Sequence, residues 1–195
     1  MSHTLLRRSL SGFTLPFALA ATLCLPSRQA LGQALIDAKF AAILRDQYMT
    51  DLDSVHVKIM ALANAIPEDK YSWRPAPGVR SISEVLMHMA AEWSYYLPGS
   101  VGGKPPADFG PPRETLPKME KITAKKDVLE QLNKGWAYGR AQVVATDPAA
   151  LTGTLQTWKT PFGAATYDMT GDQHEHLGQL IAYARFVGVK PPWSK

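Results

Sequence analysis

The 195-residue sequence predicts an all-α protein, a four-helix bundle with long crossover loops. Three observations lead to this prediction: apolar residues recur at helical spacing in four stretches, Gly and Pro interrupt the chain between them, and two of these interruptions are too long for tight turns. Such connections are typical of bundles with at least one crossover. A less regular all-α packing is the alternative.

The first two helices have clear boundaries. Residues 36–65 contain no Gly or Pro, their apolar positions step by three or four, and Pro67 ends the pattern. After a Pro-containing loop, Ser81 and Glu84 form a capping-box sequence, in which each side chain accepts a hydrogen bond from the backbone of the other residue. The second helix is therefore predicted to begin at this cap and to end near Leu97, before Pro98 and Gly99.

The remainder of the chain is predicted to contain two more helices and two irregular connections. Residues 99–117 are rich in Gly and Pro and are expected to be a loop without regular structure, of a length often found in lids. The third helix is predicted for about 123–145 and the fourth for about 166–187. Weak alternation in residues 152–160 indicates a short β-hairpin or an irregular excursion before the last helix.

Residues 1–34 are predicted to be a signal peptide, and residues 35–195 a single domain. Arg7 and Arg8 precede 13 mostly apolar residues, 13–25, whereas a membrane-spanning helix needs roughly 20. Small residues at 30–34 fit a cleavage site. We therefore expect a periplasmic or secreted protein with no stable membrane insertion after cleavage. The arginine pair leaves Sec and twin-arginine export open, and an uncleaved anchor is the alternative.

Charge and cysteine content exclude several classes of function. The formal net charge is +4, but the first 34 residues contain three arginines and no acidic residue, so the remaining chain has 18 basic and 17 acidic residues. This balance favours neither nucleic acid nor an anionic membrane as partner. Cys24 is the only cysteine, which excludes a disulfide within the chain and a zinc site built on cysteines.

Four histidines follow the predicted signal peptide, and two of them lie in the run Asp172-Gln173-His174-Glu175-His176. Asp172 and His176 are four residues apart, so they share a helix face and could bind one metal ion. His174 lies about 200° around the helix from His176, which makes a shared ion difficult. Spacing alone favours the alternative that these histidines are polar edge residues.

The other two histidines are also open to two interpretations. His88 has Glu84 and Glu92 one turn to either side, which fits a solvated face or a metal ligand with carboxylates that orient its ring. Asp53 and His56 are expected to form a surface pair. Nearby Met and aromatic residues of the second helix are expected to be core or pocket wall rather than a cofactor site.

Two segments of the sequence resemble the DinB/YfiT-like superfamily. The first, residues 65–90, runs from Ala65-Ile66-Pro67 into Met87-His88-Met89. The second, residues 174–185, is followed by Gly188 and Pro191-Pro192-Trp193. The two segments bracket most of the predicted domain in the expected order and spacing. The resemblance implies a four-helix bundle, often a homodimer, that holds a divalent metal with three histidines.

The resemblance also assigns the ligands by position. His88 corresponds to the first ligand and His176 to the third, whereas Asp172 stands where the family has its second histidine. Two imidazoles and a carboxylate form a sound set for zinc, nickel, manganese or iron. Alternatively, His174 swings in, or the site is degenerate. Glu92 or Glu175 could serve as an orienting residue or as a base.

The implied function is a metal-dependent transferase or hydrolase that acts on a small molecule. Relatives suggest chemistry in which the metal activates a small thiol, and water in the same position would give hydrolysis. Export makes the thiol reaction less favourable, because small thiols are concentrated in the cytosol. The alternative is a non-catalytic helical module that binds a ligand or partner. The sequence identifies no catalytic residue.

Overall fold

The structure is a computed structural model that describes residues 35–194. The predicted signal peptide lies outside the described residues and stays a prediction, as does the domain boundary after residue 34. In the described part, no helix has the length and apolar character needed to span a membrane.

The all-α prediction is confirmed, together with the short hairpin before the last helix. In chain order the elements are α1 (Ala38–Ala65), α2 (Ile82–Gly99), α3 (Pro112–Met119), α4 (Lys125–Ala145), β1 (Thr154–Leu155), β2 (Thr160–Pro161) and α5 (Phe162–Phe186). The four long helices surround one core, in which α2 packs mainly on α4, and α1 packs on α5 and α4. The two strands pair antiparallel, with Leu155 opposite Thr160.

The capping box forms at the start of α2. The backbone N–H of Ser81 donates to Oε2 of Glu84 at 2.6 Å, and the backbone N–H of Glu84 donates to Oγ of Ser81 at 3.3 Å. These bonds satisfy donors that a helix start otherwise leaves unpaired. The cap therefore sets the residue at which α2 begins.

The prediction that residues 99–117 lack regular structure is wrong at its end, because α3 begins at Pro112. Proline is suited to the first turn of a helix, where its missing N–H would be unpaired in any case. The last helix begins at Phe162, earlier than predicted. Helix α2 also extends through Pro98 to Gly99.

The expected surface pair of Asp53 and His56 is also wrong. Asp53 binds Arg140 instead, with Oδ1 2.8 Å from Nε. The His56 ring stacks on Trp136, with centroids 4.3 Å apart and planes 5° apart, and meets the edge of Trp93. Its Nε2 is buried and has no hydrogen-bond partner among residues 35–194. The ring therefore packs as an aromatic side chain between three helices.

Helices α2 and α4 approach closely because α4 presents two glycines to α2. A Cβ on Gly135 would collide with the carbonyl oxygen of Ala90, and a Cβ on Gly139 with that of Trp93. Both glycines are buried, whereas Gly178 on α5 is exposed, and a Cβ there would meet nothing. Gly135 and Gly139 are one turn apart, so together they form the surface on which α2 lies.

We expect Gly139→Ala to lower the free energy of unfolding by about 1–3 kcal/mol, because the added methyl group would force α2 away from α4. Gly178→Ala is the matched control and should raise the free energy of unfolding by up to about 1 kcal/mol through helix propensity. Urea unfolding measures both. Equal effects of the two substitutions would contradict the close approach.

We expect His56 to make the protein less stable as the pH falls from about 6.5 towards 4. Burial lowers the pKa of His56 to about 4 from its usual 6.5, so in this range the unfolded chain binds the proton more readily. Replacement by Phe keeps a ring but removes the proton site. In urea unfolding at pH 7.5 and 5, His56→Phe should lose less stability on acidification than the wild-type chain, and an equal loss would refute the assignment.

Candidate metal centre

The structure brings His88 of α2 and His176 of α5 together, although they are far apart in the sequence. Their ring centroids are 5.1 Å apart and the ring planes are 77° apart. Both side chains are largely buried, with 17% and 14% of their surface exposed. Two imidazoles in edge-to-face contact at the inner faces of two helices can place one nitrogen each near a common point.

Glu92 lies between the two rings. It follows His88 by one turn of α2, and its Oε1 is 3.1 Å from Nε2 of His88, while its Oε2 is 3.9 Å from Nε2 of His176. The ligand atoms of these three residues all lie within 4.8 Å of one another. Two imidazole nitrogens and a carboxylate oxygen at this separation form a donor set for a divalent metal ion.

The outer nitrogen of each imidazole faces another polar group. Nδ1 of His176 is 3.2 Å from Oε1 of Gln179, whose amide donates in turn to the hydroxyl of Tyr183. Nδ1 of His88 is 3.3 Å from Oε1 of Glu120, although this contact lacks hydrogen-bond alignment. Metal-binding histidines commonly have such partners, which keep the inner nitrogen free to coordinate.

Glu120 joins the segment between α2 and α4 to the cluster. It directly follows α3, and its Oε1 accepts a hydrogen bond from Nε of Arg80 at 2.9 Å. Arg80 lies immediately before the cap of α2. The two residues therefore fasten the end of α3 beside His88.

Gln173 holds Glu92 in position from α5. Its amide donates to Oε2 of Glu92 at 2.8 Å, and its carbonyl accepts from Nε1 of Trp93 at 2.6 Å. Gln173 is fully buried, and Glu92 is 5% exposed. This hydrogen-bonded chain joins α2 to α5 at the level of the cluster.

Asp172 lies beside the cluster rather than inside it. Its Oδ1 is 3.6 Å from Nε2 of His176, its Oδ2 accepts from Gln173 at 3.3 Å, and its side chain is 42% exposed. The compact group formed by His88, Glu92 and His176 does not include it. Asp172, which the resemblance assigns as a ligand, therefore lies next to His176 at the edge of this group, and Glu92 lies between the two rings.

The pKa values of the two carboxylates, Glu92 and Asp172, are shifted in opposite directions. Burial raises the pKa of Glu92, but its hydrogen bond to His88 and the charges of His88 and His176 more than offset this, so its pKa lies below the ordinary value. Burial and the charge of Glu92 raise the pKa of Asp172 to about 6. The hydrogen bond to Glu92 raises the pKa of His88 against the opposing effect of burial. Glu92 is therefore the first of the two carboxylates to ionise as the pH rises.

A cavity of about 450 Å³ opens onto the cluster. His88, Glu92 and Asp172 line one part of it. The aromatic residues Tyr96 and Trp158, with Met169, form an apolar wall, and Asp168 adds a further carboxylate. Its size and mixed lining suit a small molecule.

The remaining sequence candidates lie elsewhere. Nε2 of His174 is 3.0 Å from Oδ2 of Asp51 on α1, and both side chains are substantially exposed. Glu175 is also exposed. Neither residue belongs to the cluster. The sequence predicted Glu92 as an orienting residue or a base, and its spacing of one turn from His88, which Glu84 shares, could not by itself identify it as a donor.

Comparison with known proteins gives one match. A family profile described as the DinB superfamily matches residues 51–180, about two thirds of the chain. This range includes all three residues of the cluster. Searches of curated proteins and of solved structures found no match.

Proposed function

This chain belongs to the DinB superfamily, and from this membership and its site we propose that it is a metal-dependent hydrolase acting on a small molecule. The observation that carries the proposal is the convergence of His88, Glu92 and His176, the first two of which line a cavity of small-molecule size. A bundle that used these residues only for packing would have no need to bury a carboxylate between two imidazoles, because such burial is costly.

The proposed ligands are Nε2 of His88, Nε2 of His176 and the carboxylate of Glu92. Asp172, the third ligand expected from the sequence, lies next to His176 and lines the cavity. Nitrogen and oxygen donors in this combination suit zinc, nickel, manganese or iron. Gln173 and Gln179 orient the donors through the hydrogen bonds described above.

A divalent cation at this position would supply Lewis acidity, which lowers the pKa of a water or thiol and makes a nucleophile available near neutral pH. The protein contributes orientation and a proton acceptor. Asp172 borders both the cavity and the cluster, so its carboxylate is the group we assign to accept a proton from the attacking nucleophile. Tyr96 and Trp158 give the cavity an apolar wall against which a substrate can pack.

Water is the nucleophile we favour over a thiol. The predicted signal peptide would direct the chain out of the cytosol, and small thiols are scarce there. Transfer to a thiol would use the same donors and the same cavity. A non-catalytic binding module is the outcome if the chain holds no metal.

We expect Glu92→Gln, His88→Ala and His176→Ala each to weaken zinc binding. The loss should exceed the roughly 10- to 100-fold that is typical when a residue that only hydrogen-bonds to a metal ligand is replaced. Asp172→Asn should weaken it less, because Asp172 is more exposed and contacts only one of the two histidines. Elemental analysis and competition with a chromophoric chelator measure the affinity.

The control for the metal-binding experiment is His174→Ala, which changes an exposed histidine on the same helix. Near-stoichiometric metal in either His88→Ala or His176→Ala would exclude this site. A larger loss from Asp172→Asn than from Glu92→Gln would restore the ligand set predicted from the sequence.

We expect the mature, zinc-loaded chain to hydrolyse members of a panel of small nitrophenyl esters and phosphoesters. Chelation should abolish the activity, and added metal should restore it. His176→Ala should lower it by more than about 10-fold, because even residues that only hydrogen-bond to metal ligands contribute this much to activity. Release of nitrophenol gives the rate. Hydrolysis that persists after chelation, or at the full rate in His176→Ala, would contradict the proposal.

A further inference from the structure

The hairpin before α5 supplies one wall of the cavity. Trp158 lies between β1 and β2, and its indole ring is 6.0 Å from the ring of Tyr96, with the planes 55° apart. The hairpin therefore brings a second aromatic ring to the part of the cavity beyond His88 and Glu92.

Gly99 allows the indole of Trp158 to lie against the end of α2. A Cβ at position 99 would stand 2.6 Å from Cζ2 and 2.9 Å from Cε2 of Trp158, which is closer than real contacts allow. Gly99 follows Tyr96 by three residues, so the two residues share a face of α2. The aromatic wall therefore depends on Gly99 and Tyr96 at the end of α2 as well as on Trp158 in the hairpin.

The charged groups that line the cavity are all acidic apart from the histidine. Glu92, Asp168 and Asp172 line it, and no Lys or Arg does so within the described part of the chain. A divalent cation would neutralise two of the three carboxylates and leave one negative charge. Asp168 is exposed and forms no ion pair with any residue in 35–194. An anionic group distant from the metal would therefore find no cationic partner here.

The aromatic rings of Tyr96 and Trp158 and the unpaired carboxylate of Asp168 line one cavity, and together they form an environment that binds cations. The faces of Trp and Tyr attract ammonium groups through the ring quadrupole, and a carboxylate adds a direct charge interaction. Neutral apolar groups of the same shape would gain the contact area but neither electrostatic contribution.

We propose that this cavity accepts a small molecule bearing an ammonium group, whose cationic end lies against Tyr96, Trp158 and Asp168 while its reacting end points to the histidine cluster. The orientation of the reacting end rests on the proposed function. The preference for a cation depends only on the wall of the cavity and can be measured without metal.

The test compares three molecules of matched shape: choline, 3,3-dimethylbutan-1-ol and 3,3-dimethylbutanoate. Binding is followed by NMR titration of the zinc-loaded chain and of metal-free His176→Ala protein. Choline should bind about 10-fold more tightly than the neutral alcohol, as expected for a cation at a partly desolvated aromatic site. The carboxylate should bind most weakly in the metal-free protein, where it has no metal to coordinate.

Two substitutions test the assigned wall. Trp158→Ala and Asp168→Asn should each reduce the ratio of choline to alcohol affinity by a few-fold or more. Trp193→Ala and Asp69→Asn, which change an exposed tryptophan and an exposed aspartate outside the cavity, should leave the ratio unchanged.

The cation proposal is overturned if the alcohol binds as tightly as choline to the wild-type chain, or if the ratio survives both Trp158→Ala and Asp168→Asn. The same measurements distinguish failure of the cation proposal from failure of the proposed metal-dependent function. A chain that prefers choline but holds no metal retains the cation site, and a chain that binds zinc without this preference retains only the metal centre.

Discussion

The carboxylate of Glu92 imposes the main constraint on the centre of this protein. A charge that is removed from water costs several kcal/mol unless nearby groups replace its solvation. Gln173 and His88 contact this carboxylate directly, and His176 lies within 4 Å. These partners come from two helices, so α2 and α5 must keep one relative position for the charge to be compensated. The requirements of the fold and of the site are therefore met by the same contacts.

The helices were predictable where one local pattern determines the outcome. An uninterrupted apolar period marked α1, and the capping pair Ser81 and Glu84 marked the start of α2. The density of Gly and Pro in residues 99–117 predicts a loop and hides α3, because Pro112 occupies the first turn of that helix, where proline is favourable. The position of α5 was predicted correctly, but its start was placed too late because the turn after β2 runs directly into the helix.

The cluster of His88, Glu92 and His176 was predictable only in part, and Glu84 and Glu92 show why. Both lie one turn from His88 and look equivalent in the sequence. In the structure Glu84 pairs with Arg74 near the surface, whereas Glu92 is buried against α5. Periodicity identifies the face of a helix but not how far along that face a neighbouring helix covers it. The resemblance to relatives singled out His88 and His176, yet the role of Glu92 depends on a tertiary contact.

The attachment of α3 has a consequence for how the site responds to what enters it. Glu120 connects the end of α3 to both Arg80 and His88, so any molecule bulky enough to push this segment aside would also remove the neighbour of the His88 ring. Binding of such a molecule would then weaken the binding of a metal ion at His88. By thermodynamic reciprocity, a bound metal ion would weaken the binding of the bulky molecule by the same factor. A guest that stays among the residues lining the cavity, none of which belongs to α3, would leave the contact between Glu120 and His88 in place.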